Sequence, residues 1–177
     1  MKTLASLLLA AALLAAGPLR AELSPEAQTA LTKLRSQDVG ERSAAVEALA
    51  PLGAAVVAEL CALRGDENRT VDLWARRALE AVCHRASAPG STTRQQVADA
   101  LLTQLAVPRS RAIGEHLLLM LSFVAGDAQV IAVAPWLLDG EVQEAARRCL
   151  VRLPGKAATQ ALADAIDNAS LALRVAL

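Results

Sequence analysis

Two stretches of the chain repeat each other in register, and this repetition limits the possible folds more than any other feature. Residues 71–79 (VDLWARRAL) and 142–150 (VQEAARRCL) share Val, Ala, Arg, Arg and Leu at the same five positions. Residues 45–49 and 117–121 fit the same frame, so a leucine recurs at Leu49, Leu79, Leu121 and Leu150. Periods of about 20–50 residues are typical of solenoids and other repeat arrays.

Each frame places apolar or small residues at i, i+3 or i+4, and i+7, which predicts a helix with one buried stripe. Aromatic residues make up only 2% of the chain, which argues against a β-sandwich or barrel, whose pleated faces are rich in aromatic and β-branched side chains. We therefore expect an all-α fold. The predicted helix pairs are 24–35 with 40–53, 54–63 with 69–84, 93–106 with 110–125, and 128–138 with 141–153, followed by a fifth pair that starts with 156–167 and continues from Leu171.

Such pairs cannot bury their apolar faces alone, and stacking buries them. Residues 42–53 (RSAAVEALAPLG) resemble the second helix of the short HEAT repeats named after phycobilisome lyases. Residues 136–139 (WLLD) and 145–150 (AARRCL) are similar to the same consensus. The resemblance covers most of residues 32–177 and implies an α-α superhelix, a right-handed solenoid of about four to five helix pairs. It indicates little about function, because such repeats serve many partners.

The N-terminus has the pattern of a secretory signal peptide. Lys2 provides a basic start, residues 4–16 form a Leu/Ala run interrupted only by Ser6, and Gly17-Pro18 precede a small residue at Ala21. The run is shorter than the roughly 20 residues that span a bilayer. We predict cleavage after Ala21, with an uncleaved anchor as the alternative. The mature domain is then residues 22–177, periplasmic or secreted, with no further membrane span.

The charge balance argues against nucleic acid as a partner. The formal net charge is zero, whereas nucleic-acid-binding proteins carry a basic excess. Arginine far outnumbers lysine, which is typical of a GC-rich bacterial genome. We find no phosphate-binding loop, no Gly-x-Ser-x-Gly elbow and no Cys-x-x-Cys pair, so the sequence predicts neither catalytic residues nor a cofactor.

A metal site is not predicted either. Some HEAT-repeat enzymes hold a di-iron centre with recurring His-Glu pairs, and this chain has one Glu115-His116 without counterparts in the other repeats. Three cysteines are present, and Cys61 and Cys83 fall on the two helices of one predicted pair. A disulfide between them is one hypothesis, since exported proteins favour disulfides, and burial as small core residues is the favoured one. Cys149 takes the position of alanines in other repeats, which indicates packing. Trp74 and Trp136 are expected to pack in the core or between repeats rather than bind a partner.

The best candidate for a binding surface is a set of paired arginines. Arg76 and Arg77 share a register with Arg147 and Arg148 on second helices, which usually line the concave face of such solenoids. One hypothesis is that they form a ridge for an acidic partner. Salt bridges with nearby acids such as Asp72, Glu80 or Glu144 are the favoured interpretation.

The chain ends partway through a repeat frame, and residues 171–177 (LALRVAL) lack the polar outer face of a terminal repeat. We expect the repeat domain to be incomplete there, with possible self-association through this repeat. The favoured function is an exported protein-binding scaffold without catalysis of its own. The alternatives are a helical segment of a larger exported enzyme, and a lyase-like HEAT-repeat enzyme.

Overall fold

The computed structural model describes residues 23–166, and this part of the chain is all-α, without strands. The predicted all-α class is therefore confirmed. The signal peptide predicted at 1–21 and the helix predicted from Leu171 lie outside the described residues. The helices are α1 (Pro25–Lys33), α2 (Val39–Leu49), α3 (Val57–Leu63), α4 (Arg69–Ala86), α5 (Arg94–Leu105), α6 (Arg111–Val124), α7 (Asp127–Val133), α8 (Gln143–Arg152) and α9 (Lys156–Ile166), with 3-10 segments at Ala50–Val56 and Ala134–Leu138.

The helices form two layers. Within each unit the first helix contacts the second: α1 contacts α2, α3 contacts α4, α5 contacts α6, and α7 contacts α8. Between units, α2, α4, α6 and α8 contact one another in that order, and α3, α5, α7 and α9 do the same. From α2 to α8, each helix thus packs on the partner in its own unit and on a counterpart in a neighbouring unit, which is the packing expected of stacked repeats.

The repeat frame identifies the core. Leu49, Leu79, Leu121 and Leu150 are all buried, with at most 1% of their surface exposed. The shared valines and alanines of the two matching stretches are buried too: Val71, Ala75, Val142 and Ala146. The recurring apolar positions of the repeat frame are therefore core positions of the stack.

Helix starts follow local signals in the sequence. Ser24 Oγ accepts a hydrogen bond from the Ala27 backbone N–H at 3.2 Å, and Pro25 occupies the first helical position of α1. Both features satisfy or remove backbone donors that a helix start leaves without partners. At α4 the cap is Asn68, whose side chain accepts from the Thr70 N–H at 3.0 Å.

The stretch Val39–Leu63 is long and apolar enough to span a membrane by length and composition, with a mean hydropathy of 1.8 in its most apolar part. In the structure it consists of α2, the first 3-10 segment and α3. Gly53 separates these helices with φ 58° and ψ −131°, a conformation that residues with a side chain rarely adopt. The two helices lie in different layers of the stack, so this stretch is not one continuous helix.

Candidate functional site

A groove of about 800 Å³ lies on the layer of second helices and is formed by α4, α6 and α8. Its walls come from three successive units. Five arginines and two glutamates are among the lining residues: Arg76, Arg111, Arg147, Arg148, Arg152, Glu115 and Glu144.

The structure brings three of the four predicted arginines to this groove. Arg76, Arg147 and Arg148 line it, and Arg77 does not. The Arg77 guanidinium instead stacks on the Trp74 ring, 4.6 Å from its centroid. Successive helical residues point about 100° apart, so Arg76 and Arg77 face different surroundings.

Glu144 holds two of the groove arginines. Arg147 donates from Nε to Oε2 at 2.8 Å and from Nη2 to Oε1 at 2.9 Å, and Arg148 Nε donates to Oε1 at 2.8 Å. These bonds, led by the one from Arg147, lower the pKa of Glu144 to about 2. One carboxylate thus pairs with two guanidiniums, so this part of the groove keeps a net positive charge.

Three exposed arginines of the groove share one hydrogen-bonding pattern. Arg76 donates from Nε to Glu80 at 2.8 Å, Arg111 donates from Nε to Glu115 at 2.7 Å, and Arg148 uses Nε in the same way. Within residues 23–166, the Nη1 and Nη2 groups of these three side chains have no hydrogen-bond partner. A guanidinium can bind a carboxylate end-on through those two nitrogens. The expected salt bridges and an open binding edge therefore coexist on the same side chains.

A polar network centred on the buried side chains of Arg64 and His116 adjoins the groove. The Arg64 side chain, only 7% exposed, donates from Nε to Asp72 Oδ1 at 2.8 Å. Arg64 Nη1 and His116 Nδ1 are 2.8 Å apart, and His116 Nε2 lies 3.2 Å from Glu80 Oε1. Since Glu80 also binds Arg76, the network connects the α3–α4 turn, α4 and α6.

The partners of His116 determine which nitrogen carries its proton. Arginine has no acceptor, so Arg64 donates to Nδ1, and Nε2 carries the proton that is donated to Glu80. Burial, aided by the charges of Arg64 and Arg76, lowers the pKa of His116 to about 4. Both ring nitrogens are engaged, so the imidazole has no free lone pair for general-base chemistry.

Trp74 is buried, as expected of a packing residue. The guanidinium of Arg42 lies 5.3 Å from the centroid of the Trp74 ring, so two arginines, Arg42 and Arg77, contact this ring. Arg42 is itself buried, and its Nη1 donates to the Ser36 carbonyl. Trp136 is partly buried against the core, so both tryptophans contribute to packing.

The three cysteines are free and buried. Burial raises the pKa of Cys61 to about 11 and those of Cys83 and Cys149 to about 12. The structure has no Cys61–Cys83 disulfide, and the favoured interpretation of these cysteines as small core residues is confirmed by their burial.

The described residues contain no group of three or more His, Cys, Asp or Glu side chains placed to hold a metal ion. Glu115 and His116 have separate roles. Glu115 pairs with Arg111 at the surface, and His116 belongs to the buried network.

Sequence reasoning missed two arginines of the groove, Arg111 and Arg152. Neither lies in the repeated Arg-Arg motif. A helical projection of α6 and α8 would have found them, because Arg111, Glu115 and Leu119 follow one another at four-residue intervals, as do Glu144, Arg148 and Arg152.

The fold and the groove together define a class: an all-α protein of stacked helix pairs with an arginine-lined groove on its second-helix layer. No family model matches the chain, and neither a curated protein nor a solved structure does. The functional argument therefore depends on the geometry of the groove.

Proposed function

We propose that the chain is an exported repeat protein of the short HEAT type that binds a protein partner through this groove, with no catalysis of its own. The observation that carries the proposal is the set of three exposed arginines whose Nη groups have no hydrogen-bond partner within residues 23–166. Bidentate arginine contacts are among the strongest ways to recognise a carboxylate.

The charge pattern supports a protein over a nucleic acid. The chain as a whole has zero formal net charge, and two glutamates lie among the five arginines of the groove. A phosphate backbone needs a continuous positive surface. Spaced guanidiniums suit the separated carboxylates of a polypeptide.

Site-specific photo-cross-linking in the producing cell tests the proposal. A photoreactive amino acid at Ala112, which lines the groove on α6, is expected to capture one defined partner. The matched control position is Gln95, an exposed residue on the other layer. Capture of the same protein from both positions, or from neither, would contradict a partner site in the groove.

Two pairs of charge reversals test the role of the arginines. Arg76→Glu with Arg148→Glu is expected to abolish the cross-link, because it replaces two donors of the groove with carboxylates. Lys33→Glu with Arg69→Glu makes the same change in charge at exposed positions outside the groove and is expected to leave the cross-link unchanged. Arg76→Gln with Arg148→Gln removes the two charges without placing new carboxylates beside Glu80 and Glu144. Loss of the cross-link in this milder variant would show that the lost binding does not reflect lost folding.

A further inference from the structure

The groove has a polar half and an apolar half. Along α6, Arg111 and Glu115 are followed by the exposed Leu119 and Phe123. Along α8, Glu144 and Arg148 are followed by the exposed Val151. Helix α6 therefore changes from charged to apolar along its length. On α8 the apolar Val151 is followed by Arg152, whose guanidinium stacks on the Phe123 ring.

The contacts between α6 and α8 place like halves side by side. Near their N-terminal ends, a Cβ added to Gly114 would lie 3.2 Å from Val142 Cγ1. Near their C-terminal ends, the Arg152 guanidinium lies 5.2 Å from the Phe123 ring centroid, and Arg152 Nη1 donates to Ser122 Oγ at 3.3 Å. The two helices thus run in the same direction.

The polar half holds the open arginine edges, and the apolar half holds the partly exposed Leu119 and Val151, next to the Phe123 ring on which Arg152 stacks. Arg111 and Arg148 are 63% and 73% exposed, and Arg76 borders them from α4. Leu119, Phe123 and Val151 are 41%, 43% and 59% exposed. Covering such side chains contributes about 25 cal/mol for each Å² of apolar surface removed from water.

We propose that the occupant of the groove is an amphipathic segment of the partner with carboxylates at one end and apolar side chains at the other. The carboxylates bind Arg76, Arg111 and Arg148, and the apolar residues cover Leu119 and Val151, the exposed large apolar side chains that line the groove. The inference rests on the proposed function and adds the chemistry and the polarity of the partner. From Arg111 to Leu119, eight residues of helix span about 12 Å, which sets the separation between the two ends of the segment.

Synthetic peptides of equal composition test this order. One carries glutamates in its first two helical turns and leucines in its next two, and the second has the same residues scrambled. Fluorescence anisotropy with the mature protein is expected to show the ordered peptide binding at least about tenfold tighter, a difference of about 1.4 kcal/mol. Equal affinities, or no binding by either peptide, would overturn the inference.

Variants separate the two halves. Arg148→Gln is expected to weaken the ordered peptide about tenfold and to reduce the salt dependence of binding. Leu119→Ser with Val151→Ser is expected to weaken it by a similar factor with the salt dependence unchanged. Arg69→Gln and Ile131→Ser, exposed and outside the groove, are the controls and should bind as the parent protein does. If only the arginine variant weakens binding, the apolar half of the proposal is wrong.

The peptides and the cross-linking give separable outcomes. A partner captured at Ala112 together with equal affinities for the two peptides would retain the proposed function and overturn the ordered segment. If the cross-linking captures no partner and the two peptides also bind equally, both the proposed function and the ordered segment are overturned.

Discussion

The position of His116 shows how a single residue joins two repeats. Its ring connects Arg64, at the end of α3, to Glu80 on α4, while its own backbone belongs to α6. A protonated ring would present a second N–H to the Arg64 guanidinium, where an acceptor is required. The network therefore requires a neutral imidazole.

We predict that the protein loses stability as the pH falls from about 6.5 to about 4. The pKa of His116 in the folded protein is about 4, below its ordinary value of 6.5. Between these two values the unfolded state binds one more proton than the folded state, so the free energy of unfolding decreases as the pH is lowered. A shift of this size corresponds to about 3 kcal/mol. Urea titrations at several pH values measure it.

The matched variant for this prediction is His116→Gln, which can accept from Arg64 and donate to Glu80 without titrating. Its free energy of unfolding is expected to change less than that of the parent protein between pH 6.5 and 5. An equal decrease in both proteins would assign the pH dependence to other groups.

The thiols give a second prediction at this scale. Because Cys61, Cys83 and Cys149 are buried and free, a thiol reagent is expected to react with the native protein only as fast as it opens. In denaturant without reductant, all three thiols should react. Reaction of a single thiol would reveal a Cys61–Cys83 bridge.

The boundaries of the elements could largely be read from the sequence. The stretch predicted at 69–84 is α4 at Arg69–Ala86, and that predicted at 110–125 is α6 at Arg111–Val124. Apolar periodicity and flanking Gly, Pro and Asp carry this information. The 3-10 segments at Ala50–Val56 and Ala134–Leu138 were missed. Each has a proline at its second position, which alters hydrogen bonding locally without changing the apolar pattern.

The groove was less predictable, because it depends on side-chain direction and on contacts between units. The sequence placed Arg76 and Arg77 in one ridge, but the structure separates them, with Arg77 on Trp74. Arg147 and Arg148 do share the groove because Glu144 binds both. The network around His116 joins residues 36 and 52 positions apart in sequence, and no local pattern predicts it.

Gly53 allows α2 and α3 to enter different layers, so we predict that Gly53→Ala destabilises the protein by about 1–3 kcal/mol, as expected for a side chain forced into this backbone conformation. Gly140→Ala is the control, since a Cβ there would meet nothing within 4 Å and its φ is not positive. Thermal unfolding measures both. Equal effects would mean that the backbone conformation at Gly53 carries no special strain.

The excess of arginine over lysine, which is typical of a GC-rich genome, also has a structural use here. Arginine can join separate elements in ways that lysine cannot. Arg109 donates from Nη1 to the Cys61 carbonyl at 2.7 Å and from Nη2 to Gln104 Oε1 at 2.8 Å. It thereby ties the α5–α6 connection to α3.

We predict that Arg109→Lys lowers the free energy of unfolding by about 1–2 kcal/mol, because a single ammonium cannot reproduce both bonds in this geometry. Arg69→Lys, at an exposed position, should change it by less than about 0.5 kcal/mol. Chemical denaturation compares the two. Similar small effects would show that the two bonds of Arg109 contribute little.

At the scale of the whole molecule, the stacked arrangement makes stability depend on the number of neighbours. Helices α4 and α6 contact second helices on both sides, while α2 and α8 each contact one such neighbour within residues 23–166. In a stack, stability is approximately the sum of the terms for each unit and for each interface between neighbouring units.

We therefore predict that amide hydrogen exchange is slowest in α4 and α6 and fastest in α1 and α9, because central units open only when interfaces on two sides are lost. Exchange measured by NMR or mass spectrometry tests the order. Uniform protection along the chain would indicate that the units unfold together as one cooperative domain.

The walls of the groove come from α4, α6 and α8, so its width is set by the distance between consecutive second helices, about 8–10 Å for packed helices. Duplicating one unit between Arg76 and Arg148 would move the two guanidiniums apart by about that distance without altering either residue. Changes in repeat number would thus alter the length of polypeptide that the surface accommodates while its contact chemistry stays the same.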